Sequence, residues 1–207
     1  MHSFDMSIRY VPSIRGPQGK GNVVLELAIL GLLHESPLHG YELRQRLKAT
    51  LGSFRAFSYG SLYPTLGRMK EAGHIAVDEG DAHIVAGAPA LTGRRGKVVY
   101  KLTAEGKERF AELLSEAGPS SWEDETFGVH FAFFSKTDPE VRVRILEGRR
   151  SRLEERREGA RTGLARTRER LDSYTLQLQE HGLESVDREV RWLTELIETE
   201  RKNHPFH

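Results

Sequence analysis

The sequence predicts a mostly α-helical chain with a small β-wing, built as an N-terminal helical unit and a C-terminal helical unit. Three observations predict it. Apolar residues recur at helical spacing through short segments of the first half. Two strand-like runs, 74–78 and 97–102, follow the third of those segments. After Gly118-Pro119 the short elements give way to a charge-rich stretch with a seven-residue apolar repeat.

Residues 1–21 read as a flexible arm. The stretch is polar and broken by Pro12, Gly16, Pro17 and Gly19, which is not a signal-peptide pattern. Arg9, Arg15 and Lys20 would let such an arm reach a polyanion or a partner subunit. Asn22 is placed to cap a first helix over 23–33, with Leu25, Ile29, Leu32 and Leu33 on one side. Pro37 breaks the chain, and Gly40 opens a second helix to Leu51 along Leu43 and Leu47.

The third helix is predicted over 62–72, with Ser61 as its N-cap and Gly73 as its stop. Pro64 falls in the first turn, where a missing N–H leaves no intrahelical bond unmade. Leu62, Leu66 and Met69 face inward, while Tyr63, Thr65, Arg68 and Lys70 are left on the other side. In the wing, Ile75 and Val77 share one face of the first strand, and Val98, Tyr100 and Leu102 share one face of the second. The connecting loop ends in Arg94, Arg95 and Lys97. Thr103 caps a fourth helix carrying Phe110, Leu113 and Leu114.

The second half begins with an aromatic cluster, Trp122 to Phe134. Asp138-Pro139-Glu140 is then a strong helix start, with a cap, a proline at the first position and an acid in the first turn. The helix is predicted to run to about residue 180, roughly 60 Å. Leu146, Leu153, Ala160, Thr167 and Tyr174 recur every seven residues, joined later by Leu164, Leu171 and Leu178. Gly182 is read as the break, and Ser185 as the cap of a last helix with Val186, Val190, Leu193 and Ile197 on one face.

Composition narrows the function classes. The 207 residues contain no cysteine, which excludes disulfides, thiolate metal sites and cysteine nucleophiles. No apolar run approaches the ~18 residues that span a bilayer, so the expectation is a cytoplasmic protein without a membrane partner. The formal net charge of +1 leaves room for a local basic face. No metalloprotease, phosphate-loop or nucleophile-elbow motif is present, so no enzyme, cofactor or metal site is expected.

Three helices followed by a basic wing make a winged helix-turn-helix, whose second motif helix presents a polar face to the major groove. The candidate DNA-contacting residues are Tyr41, Ser58, Tyr59, Ser61, Tyr63, Pro64, Thr65, Arg68 and Lys70, with Arg94, Arg95 and Lys97 on the wing. Arg68 could pair bidentately with guanine or bind phosphate. The tyrosines and hydroxyls could donate to phosphates. The alternative is a winged-helix protein-interaction module that does not bind DNA.

Several segments of the first half resemble the PadR family of bacterial transcriptional regulators. They are His39-Gly40-Tyr41-Glu42-Leu43, Gly60-Ser61-Leu62-Tyr63-Pro64-Thr65-Leu66, Arg68-Met69, Ala72-Gly73-His74-Ile75 and Gly93 to Gly106. The resemblance covers roughly residues 22–117. It implies a winged helix-turn-helix over 22–118 and a homodimer built through the C-terminal helices of 119–207. It also implies an inverted-repeat operator of double-stranded DNA and, in many members, repression released by a small molecule. The wing is about ten residues longer than the family pattern, around Asp81 to Leu91, and the long C-terminal region resembles the larger subgroup.

A ~40-residue helix with a narrow apolar seam does not bury that seam alone. A partner subunit would cover it and set two reading helices about one DNA turn, ~34 Å, apart. Packing against the chain's own last helix is the other way to cover it. The candidate dimer residues are Leu146, Leu153, Leu164, Leu171, Tyr174, Leu178, Leu193 and Ile197, in a coiled-coil-like seam. The Arg/Glu mixture of 142–170 reads as a salt-bridged surface. Trp122, Phe127, His130 and Phe131 are the candidate effector pocket, with packing between the two units as the plainer role.

Overall fold

The computed structural model describes residues 18–51, 59–78 and 98–204. In chain order the elements are α1 (Gln18–Glu35), β1 (Leu38–His39), α2 (Gly40–Leu51), α3 (Leu62–Glu71), β2 (Ile75–Asp78), β3 (Val99–Leu102), α4 (Ala104–Ser115), α5 (Phe127–Ala132), α6 (Pro139–Thr167) and α7 (Ser173–Asn203). A 3-10 turn, Tyr59–Ser61, leads into α3. The three strands form an antiparallel sheet in the order β1-β3-β2. The chain is a winged helix followed by an antiparallel helical hairpin.

The first core gathers around α1. Val24, Leu25, Leu27, Ala28, Ile29, Leu30, Leu32 and Leu33 are all buried. A helix apolar on most sides must be covered on most sides. α4, α2 and α3 cover one part of it and α5 another. It starts at Gln18, so Asn22 is an internal residue and not a cap, and residues 18–21 belong to α1 and not to an arm. α2 begins as expected at Gly40. There the Glu42 carboxylate accepts the His39 N–H at 2.9 Å, half of a capping box.

The wing is anchored at its base. α3 ends in a Schellman motif: Gly73 sits at φ +76°, its N–H donates to Lys70, and the His74 N–H donates to Met69. Thr103 caps α4 as expected, accepting from the Gly106 N–H at 3.0 Å. Its hydroxyl also donates to the Gly73 carbonyl at 2.7 Å. The approach is close enough that a Cβ on Gly106 would lie 2.0 Å from the His74 carbonyl oxygen. β2 and β3 pair in the register Val77 with Tyr100 and Ile75 with Leu102. β1, two residues long, adds to the free edge of β3 and was not expected.

The second half departs from its prediction. α6 starts at Pro139 with Asp138 accepting from the Glu140 N–H at 2.8 Å, but it ends at Thr167, not near residue 180. A 3-10 turn, Arg168–Arg170, reverses the chain. Asp172 then caps α7 by accepting from the N–H groups of Tyr174 and Thr175, each at 3.0 Å. Gly182 does not break the helix and Ser185 does not cap one. Both lie inside α7, where the Ser185 hydroxyl donates to the His181 carbonyl. An exposed glycine costs a helix only ~1 kcal/mol, which a long packed helix absorbs.

α6 and α7 pack against each other over a second core of Ile145, Leu146, Leu153, Val190, Leu193 and Ile197, with Phe127 and Phe134. Ion pairs cross the hairpin at Arg142–Glu200 (3.2 Å), Arg149–Glu189 (2.8 Å), Arg157–Asp187 (3.2 Å) and Arg168–Glu180 (3.1 Å). The Arg/Glu mixture is therefore a salt-bridged face.

Candidate nucleic-acid interface

α3 has one buried face and one exposed face. Leu62, Leu66 and Met69 are buried, and Tyr63, Pro64, Arg68 and Lys70 are exposed. Thr65 falls on the other side of that division from its prediction. It is 2% exposed, out of reach of a base, because its position shares the inward face with Leu62 and Leu66. Its hydroxyl accepts a hydrogen bond from Arg68 Nη2 at 2.8 Å. Ser61 is not a cap either. The preceding 3-10 turn leaves it helical at φ −89°, ψ −15°, with no side-chain cap bond.

Two further elements border α3. Tyr41, in the first turn of α2, is 66% exposed, and Gln45 donates to its hydroxyl. The Tyr63 ring lies over Gly40, where a Cβ would stand 3.6 Å from it and 3.5 Å from Tyr100 on β3. Gly40 thus sits between α3 and β3. Burial, and then the neighbouring Tyr63, push the Tyr100 hydroxyl above its ordinary pKa, so it stays neutral. This cluster was missed in the sequence, although the alternation of Tyr100 with Leu102 already pointed that ring inward. Ser58, the side chain of Tyr59, and the wing residues Arg94, Arg95 and Lys97 lie outside the described residues.

The aromatic-cluster residues Trp122, Phe127 and Phe131 pack against the hairpin. The Trp122 ring covers Gly148 on α6, where a Cβ would meet it at 2.4 Å. Phe127 and Phe131 pack on Trp192 of α7 at 6.3 and 5.3 Å between centroids. Phe127 also receives the Arg149 guanidinium over its ring at 5.3 Å. Arg149 is itself buried and donates to Glu189, to Asp124 and to the Trp122 carbonyl. Burial pulls the His130 imidazole down to about 4, so it is neutral near pH 7. Its Nδ1 is buried without a partner. A cavity of about 450 Å³ lies elsewhere, lined by His34, Lys107, Phe110, Leu114, Lys136 and Val141 among others.

The proposed dimer residues also separate. Leu146, Leu153, Leu193 and Ile197 are buried in the protomer's own α6–α7 core, which covers that part of the seam without a partner. Leu164 and Leu171 are half-buried, while Tyr174 and Leu178 stay 83% and 68% exposed. Among the described residues no cluster of His, Asp and Glu is placed to hold a metal, and no helix is long and apolar enough to cross a membrane.

Residues 29–112 match the family model described as the transcriptional regulator PadR-like family. The negative transcriptional regulator PadR of Bacillus subtilis (strain 168) is 30% identical over 97 residues, which are 46% of this chain and 48% of that protein. The match thus spans about half the length of this curated relative. Among solved structures, B. subtilis PadR in complex with operator DNA is 21% identical, covering 86% of this chain and 99% of its own, with a TM-score of 0.40. B. subtilis PadR in complex with p-coumaric acid is 21% identical, covering 86% and 98%, with a TM-score of 0.39.

Proposed function

We propose that this chain is a PadR-like transcriptional regulator, a reading supported by the family-model match over residues 29–112, and that it is a sequence-specific cytoplasmic repressor. It acts as a homodimer on an inverted-repeat operator and lets go when a small molecule binds. The observation that carries this reading is the division of α3, whose buried face grips the α1 core while Tyr63, Arg68 and Lys70 face outward. Such a helix enters the major groove, its N-terminal N–H groups and Tyr41 meeting phosphates. Arg94, Arg95 and Lys97 serve the flanking phosphates from the wing. The name of the B. subtilis relative, a negative regulator, supports repression.

Homodimerisation rests on the far end of the hairpin. Between Leu153 and Val190 no described residue is fully buried: Leu164 and Leu171 are only half covered within the protomer, and Tyr174 and Leu178 stay exposed. A second copy supplies the missing cover. The small molecule is assigned to the 450 Å³ cavity, where Lys107, Lys136 and His34 border an apolar wall of Phe110, Leu114 and Val141.

An electrophoretic shift on duplexes from the DNA flanking its own gene tests the reading. A specific shift is expected, weakening by roughly tenfold or more between 50 and 200 mM salt. Absence of any sequence-selective shift would leave a winged-helix interaction module instead. Sedimentation of the double variant Tyr174→Ser, Leu178→Ser is expected to give a monomer where the parent gives a dimer.

A further inference from the structure

We propose that Thr65 is a positioning residue for sequence readout. Its buried hydroxyl fixes the Arg68 guanidinium on the outer face of α3 with one bidentate edge free for guanine in double-stranded DNA. This rests on the reading of α3 as the major-groove helix.

The geometry is specific. Thr65 is 2% exposed and cannot itself reach a base, while Arg68, one turn on, is exposed. The two are joined by the 2.8 Å bond from Arg68 Nη2 to Thr65 Oγ1. Other helical threonines of this chain use their hydroxyls differently. Thr167, Thr194 and Thr199 each donate to the carbonyl four residues back, at 3.0, 2.9 and 2.8 Å. That back-bonding is the ordinary use of a helical threonine. Thr65 offers its oxygen to a guanidinium, as Ser185 does to Arg188 at 2.8 Å on the outside of α7, but Thr65 does so from a buried position. A threonine packed among Leu62, Leu66 and Met69 has no rotamer freedom to spare, so it is a rigid anchor for a flexible side chain.

Two consequences follow for recognition. A free arginine gives up much of its rotamer entropy on docking, and an anchored one has already lost part of it. Only one guanidinium N–H is committed to Thr65. Whichever Nη2 hydrogen that is, an adjacent pair of N–H groups remains for the O6 and N7 acceptors of guanine. Anchoring thus converts Arg68 from a cation that any phosphate satisfies into a fork with a fixed direction.

The test is selection from a pool of random double-stranded DNA with the full-length protein, then with Thr65→Val, Thr65→Ser and Arg68→Lys. The parent and Thr65→Ser should enrich guanine at one position in each half-site. Thr65→Val, which keeps the shape but loses the acceptor, should lower that preference on the order of tenfold. Its affinity for unselected duplex and its melting temperature should be unchanged. Arg68→Lys, on an exposed side chain that does not threaten folding, should lose the same position. A guanine preference intact in Thr65→Val overturns the role of Thr65. If Thr65→Val does not fold, Thr65→Ser and Arg68→Lys still decide: loss of the position in Thr65→Ser, or its survival in Arg68→Lys, overturns the proposal. If the parent enriches no sequence at all, the DNA-reading assignment of α3 fails first, and this inference with it.

Discussion

The winged-helix unit and the distal hairpin hold themselves together in opposite ways. Around α1, burial is nearly complete: eight of its apolar side chains are at most 5% exposed, and Gly31 admits the Phe133 ring so closely that a Cβ would stand 2.3 Å from it. Between Leu153 and Val190 the hairpin fully buries no described residue, and ion pairs such as the half-buried Arg157–Asp187 and the exposed Arg168–Glu180 run along it. Dispersion and burial are strong and indifferent to salt, whereas exposed ion pairs are weak and screened. The first arrangement makes a rigid platform for α3. The second makes an arm whose register is set but whose apolar seam is only partly covered within the protomer. Between them α5 has two faces, giving Val129 to the first core and Phe127 to the second.

The largest expected effect cuts that bridge. Phe133→Ala removes the ring seated on Gly31 and set edge-on against Phe110 at 5.8 Å. A buried Phe→Ala costs ~3–5 kcal/mol. Calorimetry should show the single transition of the parent split in two, the winged helix melting first. A single, merely lowered transition would mean that α5 does not couple the cores.

Next comes pH. His130 on the bridge is 7% exposed and titrates at about 4 when folded, against 6.5 for an ordinary imidazole. The unfolded chain therefore binds more protons between those values, and stability falls as pH drops from 6.5 towards 4. The full loss is on the order of 3 kcal/mol. It should vanish from the pH dependence of the urea midpoint in His130→Gln. Below about pH 4 a different group acts. Burial raises the Asp124 carboxyl, but hydrogen bonding and charge from Arg149, with help from Arg156, outweigh it and hold the group below the usual range. The stability it contributes is lost only as pH falls through that lowered value.

The contrast between the units also explains what the sequence disclosed. In the winged helix, local signals agree with tertiary ones: Thr103 caps, Gly73 stops, and α2 and α3 begin where their patterns begin. Where a tertiary contact decided, sequence reasoning failed. Thr65 is polar yet buried, because helix geometry places it between Leu62 and Leu66. β1 exists only because β3 offers an edge. In the hairpin the turn is written in Asp172 and Ser173, a modest cap signal, while Gly182 is a louder one that the packed helix overrides. Of the heptad positions, Leu146 and Leu153 are covered by the chain's own α7, and the repeat does not run along one helix, because α6 ends at Thr167 and Tyr174 and Leu178 lie on α7.

A glycine sharpens the platform side. Gly106→Ala puts a methyl 2.0 Å from the His74 carbonyl oxygen, a backbone atom that cannot turn away. α4 must lift from the base of the wing, at ~1–3 kcal/mol. Thermal melting should fall accordingly, while Gly182→Ala, with nothing within 4 Å, should be neutral to stabilising.

The smallest effect belongs to the arm. Arg168 and Glu180 meet at 3.1 Å with side chains 63% and 43% exposed, next to the 3-10 turn. A pair so open gains little Coulomb energy and gives up side-chain entropy in both partners. Glu180→Gln should therefore change the unfolding free energy from urea titration by no more than ~0.5 kcal/mol, and less at high salt. Held by such contacts alone, the hairpin end frays unless covered. Amide hydrogen exchange over α7 residues 173–185 should then slow as protein concentration rises, while exchange in α1 should not. Equal, concentration-independent protection in both segments would show that the arm is as self-sufficient as the platform, and would remove the physical reason for a second copy at Tyr174 and Leu178.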